Sequence, residues 1–134
     1  RARAFLQLIV GNLCIQYEEL GSLDSTKLLM IANCIRYMES HIGDTLHLAD
    51  LAREAGMSKR SLSRNFHVAV GQSPIEYRLN TRIQRAEELL LNSSEPISQI
   101  AYEVGFGDAS YFTRQFRRLR GVPPREFRRR YRSS

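Results

Sequence analysis

PIEYRLNTRIQRAEELLL, residues 74–91, is the stretch around which the rest of the chain can be read. Proline stands in its first turn, nothing inside breaks it, and Asn92-Ser93-Ser94 stops it. Ile75, Leu79, Ile83, Ala86 and Leu90 recur at steps of three and four, so they share one helix face. At about 1.5 Å per residue the helix is a strut of about 27 Å. The sequences on either side of it are near copies. Leu51-Ala52-Arg53-Glu54-Ala55-Gly56 matches Ile100-Ala101-Tyr102-Glu103-Val104-Gly105. After one extra residue, Leu62-Ser63-Arg64-Asn65-Phe66 matches Phe112-Thr113-Arg114-Gln115-Phe116. Gly71, Pro74 and Tyr77-Arg78 then match Gly121, Pro124 and Phe127-Arg128. One helical unit is therefore present twice, joined by one helix. The strut length is close to the roughly 34 Å between successive major-groove faces of B-DNA, given the width of the units.

The chain has 134 residues, enough for one domain with a real core. It starts at Arg1 rather than Met, which fits a piece of a longer protein. No apolar run is long enough to span a bilayer, and residues 1–10 lack the length and flanks of a signal peptide. Cys14 and Cys34 follow no metal or redox spacing, so reduced thiols are expected. The net charge of +6 is concentrated at one end. Residues 114–132 hold nine arginines against one acid, Glu126, while the remainder carries 11 basic and 13 acidic residues. A basic end on a near-neutral body points to a polyanionic partner; a solvated tail is the plain alternative.

Residues 2–20 are apolar at helical spacing. Leu6, Ile9, Leu13 and Leu20 fit a heptad seam, with Gln16 in the remaining slot. The segment reads as an extra N-terminal helix over 1–22, belonging to something upstream, forming a dimer contact, or packing on this domain. A helix to about Ser40 follows, capped by Asp24 or Ser25 and burying Leu28, Leu29, Ile31, Ala32, Ile35 and Met38. The first unit then runs over about 47–70, the joining helix over 74–91, the second unit over about 97–119, and a last helix over 124–131. No stretch alternates like a strand with turn punctuation, so the fold class is all-α: seven helices plus the N-terminal one.

Each unit is a short helix, a glycine turn (Gly56, Gly105) and a capped helix, with a small residue (Ala52, Ala101) where the second helix crosses the first. This is helix-turn-helix geometry: the second helix turns a polar face to the major groove while its apolar face holds it down. One such pattern is weak; two in register, each with an arginine in the same place, is strong. The chain resembles the C-terminal DNA-binding domain of the AraC/XylS family of bacterial transcription regulators. The residues carrying the resemblance are Leu51-Ala52, Gly56-Met57-Ser58, Leu62, Arg64, Phe66, Gly71-Gln72-Ser73-Pro74 and Tyr77. They continue through Arg82, Ala86 and Leu89-Leu90. Above all they include Ile97, Ile100-Ala101, Val104-Gly105-Phe106, Ser110-Tyr111-Phe112, Arg114, Phe116-Arg117-Arg118, Gly121-Val122-Pro123-Pro124 and Phe127-Arg128. The match spans about Leu28 to Arg130.

What the resemblance implies is a domain over 25–132 that sets two helix-turn-helix units on adjacent major grooves of double-stranded DNA. It also implies a cytoplasmic bacterial protein, nucleoid-associated when bound, with RNA polymerase as a partner and no membrane. The family's base-contacting positions fall on Arg60, Ser63 and Arg64 in the first unit, and on Ala109, Ser110 and Arg114 in the second. A bidentate arginine–guanine pair gives about 1–3 kcal/mol of discrimination. The alternative for each is a phosphate contact or an ion pair within the unit. Ala109 departs from the long polar residue many members have there and offers only a methyl contact to thymine. Lys59, Ser61, Thr113, Arg125 and Arg128 are expected at phosphates, the last two helped by free N–H groups at a helix start. A homodimer through residues 1–22 or an upstream domain is a further expectation.

His41, His47 and His67 sit in no ligand spacing and read as surface residues. Glu54 and Glu103, at matched positions, read as ion-pair partners between helices. Nothing resembles a nucleophile with its base, a metal cluster or a phosphate-cradling loop, so no catalytic residue, metal or cofactor is assigned. The competing function is a basic helical module that binds an acidic protein. RNA binding lacks stacking aromatics on a sheet.

Overall fold

The computed structural model describes residues 7–10, 13–16 and 23–132. Two strands, β1 (Gln7–Val10) and β2 (Leu13–Gln16), are followed by seven helices. These are α1 (Ser25–Ser40), α2 (Leu48–Ala55), α3 (Lys59–Val70), α4 (Pro74–Asn92), α5 (Ile97–Glu103), α6 (Ala109–Arg120) and α7 (Pro124–Tyr131). From Ser25 onward the fold is the expected all-α pair of helix-turn-helix units. Internal contacts divide the chain into two compact units: the described part of 1–40 with 46–77, and 41–45 with the described part of 78–134.

Within the N-terminal helix expected over residues 2–20, the described residues 7–10 and 13–16 are strands rather than helix. β1 and β2 pair antiparallel, Gln7 opposite Gln16 and Val10 opposite Leu13. The flanking sequences QLIV and LCIQ are short apolar runs, which fit a strand as well as a helix. Gly11-Asn12 between them is a two-residue hairpin signal in the sequence that competes with the heptad seam. A helix would also have carried Gly11 in its interior, at a cost of about 1 kcal/mol. The rest of the segment, and with it the seam at Leu6 and Leu20, lies outside the described residues.

In the first unit Asp24 is the cap of α1: its Oδ1 accepts from the Lys27 N–H at 2.8 Å. Ile31, Cys34, Ile35 and Met38 are buried from α1, but Leu29 is 59% exposed rather than buried. Two positions before Ile31 places it about 200° round the helix, on the far side from the core. The Asp50 carboxylate, in the first turn of α2, accepts from the His47 N–H at 2.9 Å, which holds its pKa below the ordinary value. Gly56 takes a left-handed φ of 73°, letting the Met57 N–H close back on the Ala52 carbonyl. Ser58 caps α3, its Oγ accepting from the Ser61 N–H. Leu51, Leu62 and Phe66 are fully buried, and Phe66 meets Tyr77 edge-on at 5.6 Å. Burial pushes the Cys34 thiol up to about 11, so it stays a protonated core group.

In the second unit Ile83, Leu90, Ile100, Val104, Phe112 and Phe116 are buried. A run of rings, Phe106, Phe112, Phe116 and Phe127, stands at 5.2–5.8 Å from one to the next. Asp108 caps α6, accepting from the Ser110 N–H at 2.9 Å. Ser73 caps α4 in the same manner through Glu76. The five residues 41–45 are held by two arginines of α4. Arg78, only 5% exposed, donates to the His41 and Asp44 carbonyls. Arg82 donates to those of Ile42 and Asp44 at 3.0 and 2.7 Å. Gly105 sits against this arrangement with φ 99°, and a β-carbon there would meet the Ile42 oxygen at 2.6 Å. Neither Glu54 nor Glu103 makes an ion pair among the described residues; Glu103 accepts instead from Gln99.

Candidate nucleic-acid interface

The two second helices are built alike, and the same phase is left facing out. On α3, Leu62, Phe66, Ala69 and Val70 face the core. That leaves Lys59, Arg60, Arg64 and His67 exposed, with Ser61 and Ser63 half-buried beside them. On α6, Phe112 and Phe116 face the core. Ser110, Arg114, Arg117 and Arg118 are exposed, and Ala109 and Thr113 are half-buried. A start capped by Ser58 or Asp108 and an end at a left-handed glycine, Gly71 or Gly121, fix the length of each helix.

What distinguishes these faces is that most of their cations are unspent. Among the described residues, Lys59, Arg60, Arg64, Arg117 and Arg125 make no hydrogen bond or ion pair with the protein. Arg114 makes one ring contact, its guanidinium 5.8 Å from the centre of Tyr111. The other C-terminal arginines are occupied. Arg120 pairs with Glu87 at 2.6 Å, with both side chains about three-quarters buried. Arg129 and Arg130 both hold Glu126, which keeps that carboxyl below its ordinary range. Arg132 donates to the Ser94 hydroxyl and Arg118 to the Gln115 amide oxygen. The charge count of this segment therefore overstates the cation available to a partner.

Arg128 is the clearest correction. The sequence placed it at a phosphate. Its Nε and two terminal nitrogens donate instead to the carbonyls of Leu90, Glu95 and Ser93, at 3.1, 2.8 and 3.1 Å. These are carbonyls at and beyond the end of α4, which a helix cannot satisfy by itself. Partial burial lowers its pKa without removing its charge. Arg78, its repeat counterpart, does the same for the turn after α1. Arg125, by contrast, is exposed in the first turn of α7. Two residues on the exposed face of α6 were missed. Arg117 lies one turn beyond Arg114 and could have been found from the i, i+3 spacing. Tyr111 had been assigned no role.

The described residues contain no group of His, Cys, Asp or Glu able to hold a metal ion, and no helix long and apolar enough to cross a membrane. Two capped helices with matched faces of uncommitted cations and short polar residues define a class: a duplicated helix-turn-helix DNA-binding domain. A family model described as a helix-turn-helix domain matches residues 51–130. The arabinose operon regulatory protein of Salmonella typhimurium is 32% identical over 124 residues, covering 91% of this chain and 43% of the relative. The transcriptional regulator ExsA of Pseudomonas aeruginosa is 40% identical over 88 residues, 66% of this chain and 32% of that one. Among solved structures, the C-terminal domain of AraT from Geobacillus stearothermophilus superposes with a TM-score of 0.75 at 31% identity, covering 78% of this chain and 88% of that one. The AdpA DNA-binding domain, solved with a target DNA, gives 0.73 at 27% identity, covering 75% and 91%. The chain belongs to the AraC/XylS family, as its C-terminal type of DNA-binding domain. The family is one of transcription regulators, not enzymes. The chain spans less than half the length of these curated relatives.

Proposed function

We propose that this chain is the operator-reading part of a bacterial transcription regulator, with α3 and α6 each entering a major groove of one DNA site. In this reading Arg60, Ser63 and Arg64 face base edges in one half of the site, and Ala109, Ser110 and Arg114 in the other. Lys59, Ser61, Thr113 and Arg125 take phosphates. The observation that supports it best is the contrast among the arginines: Arg60, Arg64 and Arg117, on the exposed phase of α3 and α6, make no hydrogen bond or ion pair with the protein and Arg114 meets only a ring, while most others are bound to protein acceptors. Arg64 has room for a bidentate guanine contact because nothing in its own unit holds it.

The whole protein would act in the cytoplasm, at the nucleoid when bound, and would meet RNA polymerase at the promoter. Residues 1–22 join it to a regulatory part, meet a second copy or pack on this domain; sedimentation of the chain with and without them tests for the second copy. The test of the reading itself is selection from a random DNA pool, followed by a salt series on the winning site. The expected result is one preferred asymmetric site, with log affinity falling by about 0.9 per neutralised phosphate for each tenfold rise in salt. Equal retention of all sequences, or tighter binding to an acidic polypeptide than to DNA, would refute it.

A further inference from the structure

The two readers are not equivalent, and the difference centres on Tyr111. Its ring lies 5.7 Å from that of Phe106, which is 3% exposed, and the Arg114 guanidinium lies 5.8 Å from the Tyr111 ring. Behind Phe106 stands Arg82, 5.8 Å from that ring and fixed by the Ile42 and Asp44 carbonyls. Tyr111 is thus seated on a buried ring that is itself backed by a tethered cation, yet 43% of it is exposed on the α6 surface. The matched positions in the first unit are Met57 for Phe106 and Ser61 for Tyr111, so Arg64 has no ring beneath it.

We propose that Tyr111 is a positioning residue for Arg114: its ring holds the guanidinium plane in place before DNA arrives. The proposal rests on the assignment of Arg114 to a base. A long arginine free in solvent must be ordered on binding, which weakens the contact; one already held over a ring has lost much of that freedom. The need is greater in the second unit, where Ala109 and Ser110 are short and Arg114 is the one long side chain at the family's base-contacting positions. The ring takes the guanidinium from one side, and the N–H groups that point away from it stay available to guanine O6 and N7. The phenol hydroxyl has no part in it.

Tyr111→Phe, Tyr111→Leu, Tyr111→Gln and Arg114→Ala are compared with the parent chain on the selected site and on versions altered at single base pairs. Tyr111→Phe should keep the parent preference. Tyr111→Leu and Tyr111→Gln should lose about two- to five-fold in discrimination at the base pair read by Arg114, with none lost in the other half of the site. The side-chain proton resonances of Arg114 in the free protein should show a ring-current shift in the parent and in Tyr111→Phe, and lose it in the other two Tyr111 variants. Full discrimination in both non-aromatic variants, or equal loss in Tyr111→Phe, would overturn the brace while leaving Arg114 a base reader. Unchanged discrimination in Arg114→Ala would remove that reading and the brace with it.

Discussion

Arg128→Ala separates two accounts of one residue. If its guanidinium served a phosphate, the variant would fold normally and bind all DNA more weakly. The structure instead gives it three protein carbonyls, of Leu90, Ser93 and Glu95, on a half-buried side chain. A hydrogen bond from a charged donor is worth about 1.5–3 kcal/mol, but the three share one ion and part of the site reaches water. The expected loss is therefore about 2–4 kcal/mol, including the carbonyls left without a partner. Arg128→Lys should recover little of it, because one ammonium cannot span three acceptors spread across a turn. Urea unfolding followed by circular dichroism measures the loss, and DNA titration at a temperature where the variant is folded measures binding. A change below about 0.5 kcal/mol together with uniformly weakened DNA binding would refute the structural assignment and restore the phosphate one.

Other consequences can be checked in the same preparations. Arg64→Ala should relax base preference in one half of the site only, whereas Arg125→Ala should weaken all sequences alike and reduce the salt slope by about 1; selection from a random pool reads both. Gly105→Ala should cost about 2 kcal/mol or more, since it combines a left-handed backbone with a β-carbon 2.6 Å from the Ile42 oxygen. The neighbouring Glu103 carboxyl raises the pKa of Glu95, whose Oε2 is buried with no hydrogen-bond partner among the described residues. Its stabilising contribution is present below the ordinary carboxyl value and is lost as pH rises through the raised one. Glu95→Gln should accordingly raise the melting temperature at neutral pH, with the gain fading in acid; a gain independent of pH would rule out the raised pKa.

The duplication, the glycine turns, the caps at Ser58 and Asp108 and the exposed phase of both reading helices were legible in the sequence because each depends on local chemistry. Periodicity set the faces, and residue type set the ends. What escaped depends on partners distant in the chain. Arg128 and Arg125 look alike as letters. Only the fold brings the end of α4 within reach of one and leaves the other in solvent. Tyr111 passed as a motif letter because its neighbour Phe106 and its load Arg114 meet it only in space. At the N-terminus the failure was one of period: QLIV and LCIQ satisfy a seam and a strand equally, and the Gly11-Asn12 pair should have decided between them.

The assignment of residues 41–45 to the second compact unit bears on any dissection of the protein. A gene fragment starting near Arg78 would encode the second reader without the pentapeptide whose oxygens Arg78 and Arg82 serve, removing the Ile42 and Asp44 acceptors of Arg82. Such a fragment should aggregate or melt early, and adding the missing peptide in trans should not rescue it at ordinary concentrations. Whoever wishes to study that half alone must graft the segment back on, for instance by circular permutation.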